Sequence, residues 1–189
     1  MSIFARPYRD SPALASRRVA PAACLVALAL LAGCATAPPP LPAPTPLTTA
    51  TPEQMVDAIR ATAGDGADEL AVQPLRHPEV EDLRQDAQRL EAARRYTEAA
   101  SALDAALSIV ADDPALLQER AEIALLLGDP RMAEAIAAQA HALGSQVGPL
   151  CRRHWATVEQ ARLLASDAEG AAAARERVQA CRVAAPNRF

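Results

Sequence analysis

After residue 50 the apolar positions fall into short amphipathic segments separated by proline, glycine and aspartate. Thr51-Pro52-Glu53-Gln54 offers an N-cap residue, a proline at the first helical position and a glutamine placed to close a capping box. Met55, Val56 and Ile59 then share one face, and Gly64-Asp65-Gly66 breaks the pattern, which predicts a helix over 52–63. Leu70 to Leu75 is ambiguous between strand and loop, and Pro74 and Pro78 bracket a connection into the next helical region.

From about residue 80 the chain matches itself at a spacing of 34. Leu83 aligns with Leu117, Ala87 with Ala121, Ala99 with Ala133 and Ala106 with Ala140. Asp112-Asp113-Pro114 opens the second unit and Gly128-Asp129-Pro130 divides it. Pro149 to Leu164, a break at Ser166-Asp167 and a run through Ala180 predict a third hairpin, whose second half departs from the strict spacing. Alanine dominates the apolar content and aromatics make up only 3 %, so the core is expected to consist of closely approaching helices rather than large rings. The fold class implied is all-α, a short stack of helical hairpins in the manner of an α-solenoid.

Upstream the pattern changes twice. Arg17 and Arg18 precede Val19 to Ala32, an apolar run of signal-segment length and too short for a comfortable membrane span. Residues 35–51 then carry Pro38, Pro39, Pro40, Pro42, Pro44 and Pro46, which excludes a helix or sheet ladder and predicts an extended spacer able to reach roughly 50 Å at about 3.1 Å per residue.

Between the two lies Leu31-Ala32-Gly33-Cys34, which resembles the bacterial lipobox at every position. The resemblance implies cleavage before Cys34, acylation of that cysteine and stable attachment to a membrane through its lipid chains. Ala35 follows, where the family's inner-membrane retention signal has aspartate, so the resemblance favours an outer membrane, with the protein facing the periplasm. The 34-residue period, with Arg95-Tyr96-Thr97-Glu98-Ala99 followed by Leu103 and Ala106, resembles the tetratricopeptide repeat (TPR). Asp86 and Arg120 stand where that family prefers leucine. The organisation expected is a lipoprotein signal peptide over 1–33, a lipidated cysteine and proline-rich linker over 34–51, a capping helix and connection over 52–78, and a TPR-like domain over 79–189.

Charge narrows the function classes. The chain has no lysine, and its 19 arginines face 23 acids for a net −4. Residues 1–33 hold four of the arginines and one of the acids, so the mature chain carries −7 and lacks the basic face that nucleic-acid binding requires. No HExxH pair, nucleophile triad or glycine-rich phosphate loop occurs, and His77, His141 and His154 are scattered. A non-enzyme is expected, with no cofactor beyond the lipid on Cys34.

Cys151 and Cys181 are the cysteines left after Cys24 leaves with the signal segment and Cys34 is acylated. Each lies 15 residues from residue 166, so two antiparallel helices would bring them level, and an oxidising compartment favours a disulfide. The alternative is a zinc site of Cys151, His154 and Cys181, with His141 as a possible fourth ligand; no metal is the expectation.

In the TPR family the first helix of each unit lines a concave groove. The resemblance places Arg84, Gln88, Glu91, Gln118 and Glu122 there, with Arg152 continuing the surface. It implies a membrane-anchored scaffold that binds an envelope protein or peptide. One version is the assembly of an envelope complex, and another is an accessory factor of a cell-wall enzyme. The alternative is a structural or self-associating spacer with no dedicated groove.

Overall fold

Proline, aspartate and threonine mark the helix starts. A computed structural model describes residues 45–64 and 77–182. They form seven α-helices and no strand: α1 (Pro52–Ala61), α2 (Pro78–Ala92), α3 (Tyr96–Ile109), α4 (Pro114–Leu126), α5 (Pro130–Leu143), α6 (Pro149–Leu164) and α7 (Ala168–Ala180). Five of these open on proline, whose missing N–H costs nothing in the first turn. Thr51 and Gln54 close the capping box on α1, and the side chains of Asp113, Asp129 and Asp167 accept the first free N–H groups of α4, α5 and α7. The expected signal segment, Cys34, most of the expected linker and the ambiguous stretch Leu70 to Leu75 lie outside the described residues.

The helices pair as α2–α3, α4–α5 and α6–α7, and successive hairpins stack through α3 on α4 and α5 on α6. All three hairpin turns are built alike. The residue after each C-cap is left-handed: Arg94 (φ 58°), Gly128 (φ 77°) and Ser166 (φ 62°). The next N–H then reaches back to the helix in each case, Arg95 to the Leu90 carbonyl, Asp129 to Ala124 and Asp167 to Arg162, at 2.8, 2.9 and 2.9 Å. This is the Schellman arrangement, which satisfies the orphan carbonyls of a helix end.

The positions that repeat at 34 are the helix contacts. Ala87, Ala99, Ala106, Leu117, Ala121, Ala133 and Ala140 are buried, and Leu83 packs against the core from a half-buried position. Small side chains at these points let helix backbones approach closely, so no hairpin covers its own apolar face without a neighbour. The third hairpin is stapled at its open end, where the structure bridges Cys151 and Cys181 with their Cα atoms 5.7 Å apart. Both sulfurs are thereby consumed, and the alternative zinc site loses its thiolate ligands.

α1 takes a position that the sequence did not specify. It packs across α4 and α6, the first helices of their hairpins, rather than on the end of the stack as a cap. The strand of chain before it is fixed to the turn of the third hairpin, where the Leu47 N–H donates to the Leu163 carbonyl at 2.9 Å and the Ser166 hydroxyl donates to the Thr45 carbonyl. At the other end of α1, the Thr62 and Ala63 carbonyls lie at Arg152, near the start of α6. α1 therefore runs antiparallel to α6, and it buries Met55, Val56 and Ile59 against the stack.

Candidate functional site

The first helices α2, α4 and α6 form the layer on which the groove residues were expected. α4 is surrounded, with α3, α5, α6 and α1 all packed against it, and most of its side chains from Leu116 to Leu126 are buried. Two polar residues one turn apart on this helix, Gln118 and Glu122, are both 0 % exposed. A buried carboxylate requires several donors to offset lost hydration. Glu122 has them: Arg60 from α1 donates to Oε2 at 2.8 Å, while Arg153 from α6 (3.0 and 2.5 Å) and the Gln118 amide (2.8 Å) donate to Oε1.

This network fixes a histidine tautomer. Because the Gln118 Nε2 group donates to Glu122 and to Thr157 Oγ1, also at 2.8 Å, Gln118 Oε1 is the atom facing His154 Nδ1 at 2.8 Å. That oxygen can only accept, so His154 carries its proton on Nδ1 and donates. Burial first, and then the neighbouring His141 and Arg153, push the His154 pKa down to about 3 and keep the ring neutral. His141 sits edge-on to Trp155, with ring centroids 5.0 Å apart. Among the described residues no group of three or more histidine, cysteine or acidic side chains is placed to hold a metal.

The end of α1 is held by the same layer. Arg152, 7 % exposed, donates to the Thr62 and Ala63 carbonyls at 2.6 Å each, putting a cation at the negative pole of α1. Arg60 reaches past Glu122 to a bidentate pair with Glu91 of α2 at 2.8 and 3.0 Å. Burial opposes the Arg60 charge, but the hydrogen bonds and charges of Glu91 and Glu122 outweigh it and hold the guanidinium above its ordinary range.

The six expected groove residues thus divide into two sets. Glu122 and Arg152 bind α1 and its C-terminal end, and Gln118 is spent inside the stack on Glu122, Thr157 and His154. Arg84, Gln88 and Glu91 line an open cleft of about 560 Å³ between α1 and α2, floored by Ala87, Leu103 and Ile123. Arg84 pairs across this cleft with Glu119 at 2.7 and 3.0 Å, and that hydrogen bond is the leading cause of its raised pKa. A smaller depression of about 170 Å³ adjoins it, sharing Glu91 and Ala92 and reaching Glu53 and Tyr96. Arg60, Glu119, Arg153 and Thr157 belong to the same layer and were not singled out from the sequence, while His154 was considered there only as a zinc ligand. The one signal available was a glutamine–glutamate pair at i, i+4, which puts Gln118 and Glu122 on one face of a helix rich in leucine and alanine.

The stack resembles the globular C-terminal domain of LpoP from P. aeruginosa. The likeness has a TM-score of 0.53 at 27 % sequence identity, and it covers 56 % of this chain and 99 % of that one. LpoP is a bacterial lipoprotein, so the neighbour belongs to the cell envelope. No protein-family model matches the chain, and no curated protein does. Among the described residues no helix is long and apolar enough to cross a membrane. What the layer offers chemically is a set of neutralised ion pairs over an apolar floor, which suits protein recognition.

Proposed function

We propose that this chain is a lipid-anchored, TPR-like lipoprotein that presents its helical stack to a protein partner in the envelope, as a non-enzymatic accessory factor of a cell-wall synthase. The observation that carries this reading is the 27 % identity to the LpoP domain over 99 % of that domain's length. The lipobox resemblance at Leu31 to Cys34 supports attachment through an acylated Cys34 at an outer membrane, facing the periplasm. The open cleft at Arg84, Gln88 and Glu91 supplies the recognition surface, where an apolar anchor of the partner would rest on Leu103 and Ile123 between paired charges.

The test is cross-linking of the tagged full-length protein in its own cells, followed by purification and identification of what is attached. A cell-wall synthase should be recovered, and Gln88→Trp, which fills the cleft from an exposed position, should reduce its recovery. Recovery of this chain's own copies alone would support the self-associating spacer and sink the proposal.

A further inference from the structure

α1 forms one wall of the open cleft, and the side chains it gives to the cleft and its adjoining depression recur at helical spacing: Glu53, Asp57 and Arg60, at i, i+4 and i+7. α2 supplies the facing wall with Arg84, Gln88 and Glu91 at the same spacing. The two helices run antiparallel along it, since Arg60 meets Glu91 while Glu53, at the start of α1, meets Arg94 just past the end of α2 at 3.1 Å. The larger cleft and the smaller depression, which share Glu91 and Ala92, therefore follow one another along a single track.

Charge is unevenly distributed along this track. In the larger cleft every arginine is spent on an acid of the fold, Arg84 on Glu119, Arg60 on Glu91 and Glu122, and Arg153 on Glu122. In the depression Glu53 is met by Arg94 and by the Tyr96 hydroxyl, which donates to it at 3.0 Å. Asp57 differs from all of these. It is exposed and lines the depression, and its carboxylate has no hydrogen-bond or ion-pair partner among the described residues. The track is thus neutralised over its apolar floor and carries one uncompensated negative charge at one end.

We propose that the track takes one segment of the envelope partner in a fixed direction, with an apolar side chain resting on Leu103 and Ile123 and a lysine or arginine side chain meeting Asp57. This rests on the interaction role proposed above and names the chemistry that the same site accepts. Charge selects the occupant. A cation brought to Asp57 gains a counter-ion without breaking a pair, whereas an acid on the track meets either Asp57 itself or an arginine that must leave its own glutamate. The spacing of the two contacts follows from the helices. Ala87 of the floor lies about one turn of α2 from Glu91, and Asp57 lies nearly one turn of α1 beyond Arg60, so anchor and cation stand about 10 Å apart at about 1.5 Å of rise per residue. The apolar floor contributes most of the affinity, and Asp57 sets the direction in which the segment lies.

The in-cell cross-linking experiment, repeated on the tagged full-length chain with substitutions at position 57, tests this. Asp57→Asn should lower recovery of the partner about two- to fivefold, the fold-change of one partly exposed ion pair. Asp57→Arg should lower it about tenfold, because a like charge then meets the partner's cation. Asp57→Glu should restore it, and circular dichroism and melting temperature should be unchanged in all three, since the Asp57 side chain is exposed and unpaired in the fold. Glu176→Arg, at an exposed position of α7, makes the same change of net charge away from the track and should leave recovery at the wild-type level. An equal loss with Glu176→Arg would overturn the proposal, because the effect would then belong to net charge and not to a contact. Undiminished recovery with Asp57→Arg, while Gln88→Trp still reduces it, would overturn the proposal and leave the partner in the cleft. Failure of the wild-type chain to recover any other protein would sink the proposed function and this inference together.

Discussion

Glu122→Gln should loosen α1 before it loosens the stack. The substitution keeps the volume of the side chain and removes its charge, while two guanidinium groups remain aimed at it from 2.8 Å (Arg60) and from 2.5 and 3.0 Å (Arg153). Removing one partner of a buried ion pair typically costs about 3 to 5 kcal/mol, because the other charge is left without compensation. The two arginines here are 40 and 21 % exposed, and Arg60 keeps its bidentate pair with Glu91, so the cost falls at the low end, about 3 kcal/mol. For a domain near a hundred residues that lowers Tm by roughly 10 to 15 °C. Thermal melts by circular dichroism give the magnitude, and trypsin susceptibility at Arg60 reports whether α1 opens first. Arg60→Ala combined with Glu122→Ala should cost less than the two single changes summed. A melting temperature for Glu122→Gln within about 2 °C of the wild type would refute the claim that the buried carboxylate's charge holds this layer together.

Reduction of the Cys151–Cys181 bridge, which spans 30 residues, should cost roughly 3 to 4 kcal/mol, read as a fall in the urea midpoint of the oxidised protein on adding reductant; an unchanged midpoint would contradict it. His154 is held neutral in the fold down to about pH 3 but takes up a proton near 6.5 when unfolded, so stability is full above that value and declines as pH falls below it. Between pH 7.5 and 5.5 the loss should be about 1.4 kcal/mol by urea titration, and His154→Gln should flatten the dependence. Ser166→Gly should raise stability by about 0.5 to 1 kcal/mol, because glycine adopts the left-handed conformation at φ 62° without penalty and the hydroxyl it gives up is partly solvated. Cys34→Ser should abolish lipid labelling and membrane retention, with unchanged fractionation refuting the lipobox assignment.

The hairpins were legible because their boundaries are written in residues whose chemistry is local. Pro114 and Pro130 open helices by preset backbone geometry, Asp113 and Asp129 cap them, and Gly128 marks a left-handed turn. The 34-residue matches were legible because alanine is required wherever two backbones approach. The equality of the three turns was not, since Arg94 and Ser166 adopt the conformation of Gly128 without the glycine that announces it. Those two residues are held left-handed by the carbonyls they satisfy, and the bonds that do so form only once the hairpin closes.

The site was half legible, for a reason that lies in α1. A polar residue on the first helix of a repeat faces the concave side whether that side is open or filled, so periodicity alone cannot tell a ligand contact from an internal one. Met55, Val56 and Ile59 announce an apolar face without saying where it lands, and Arg60 meets Glu91 and Glu122 from 31 and 62 residues away. With α1 in place, Glu122 and Arg152 are committed to it and Gln118 to Glu122, Thr157 and His154, and the part of this layer left open is the cleft beside α2. Its charges are committed too: Arg84 to Glu119, Arg60 to Glu91. A charged group of a partner must therefore compete with a formed pair of opposite sign, which returns little net energy at a partly exposed site. Selectivity at this cleft accordingly rests on what fits over Ala87, Leu103 and Ile123, with the arginine–glutamate pairs setting its width.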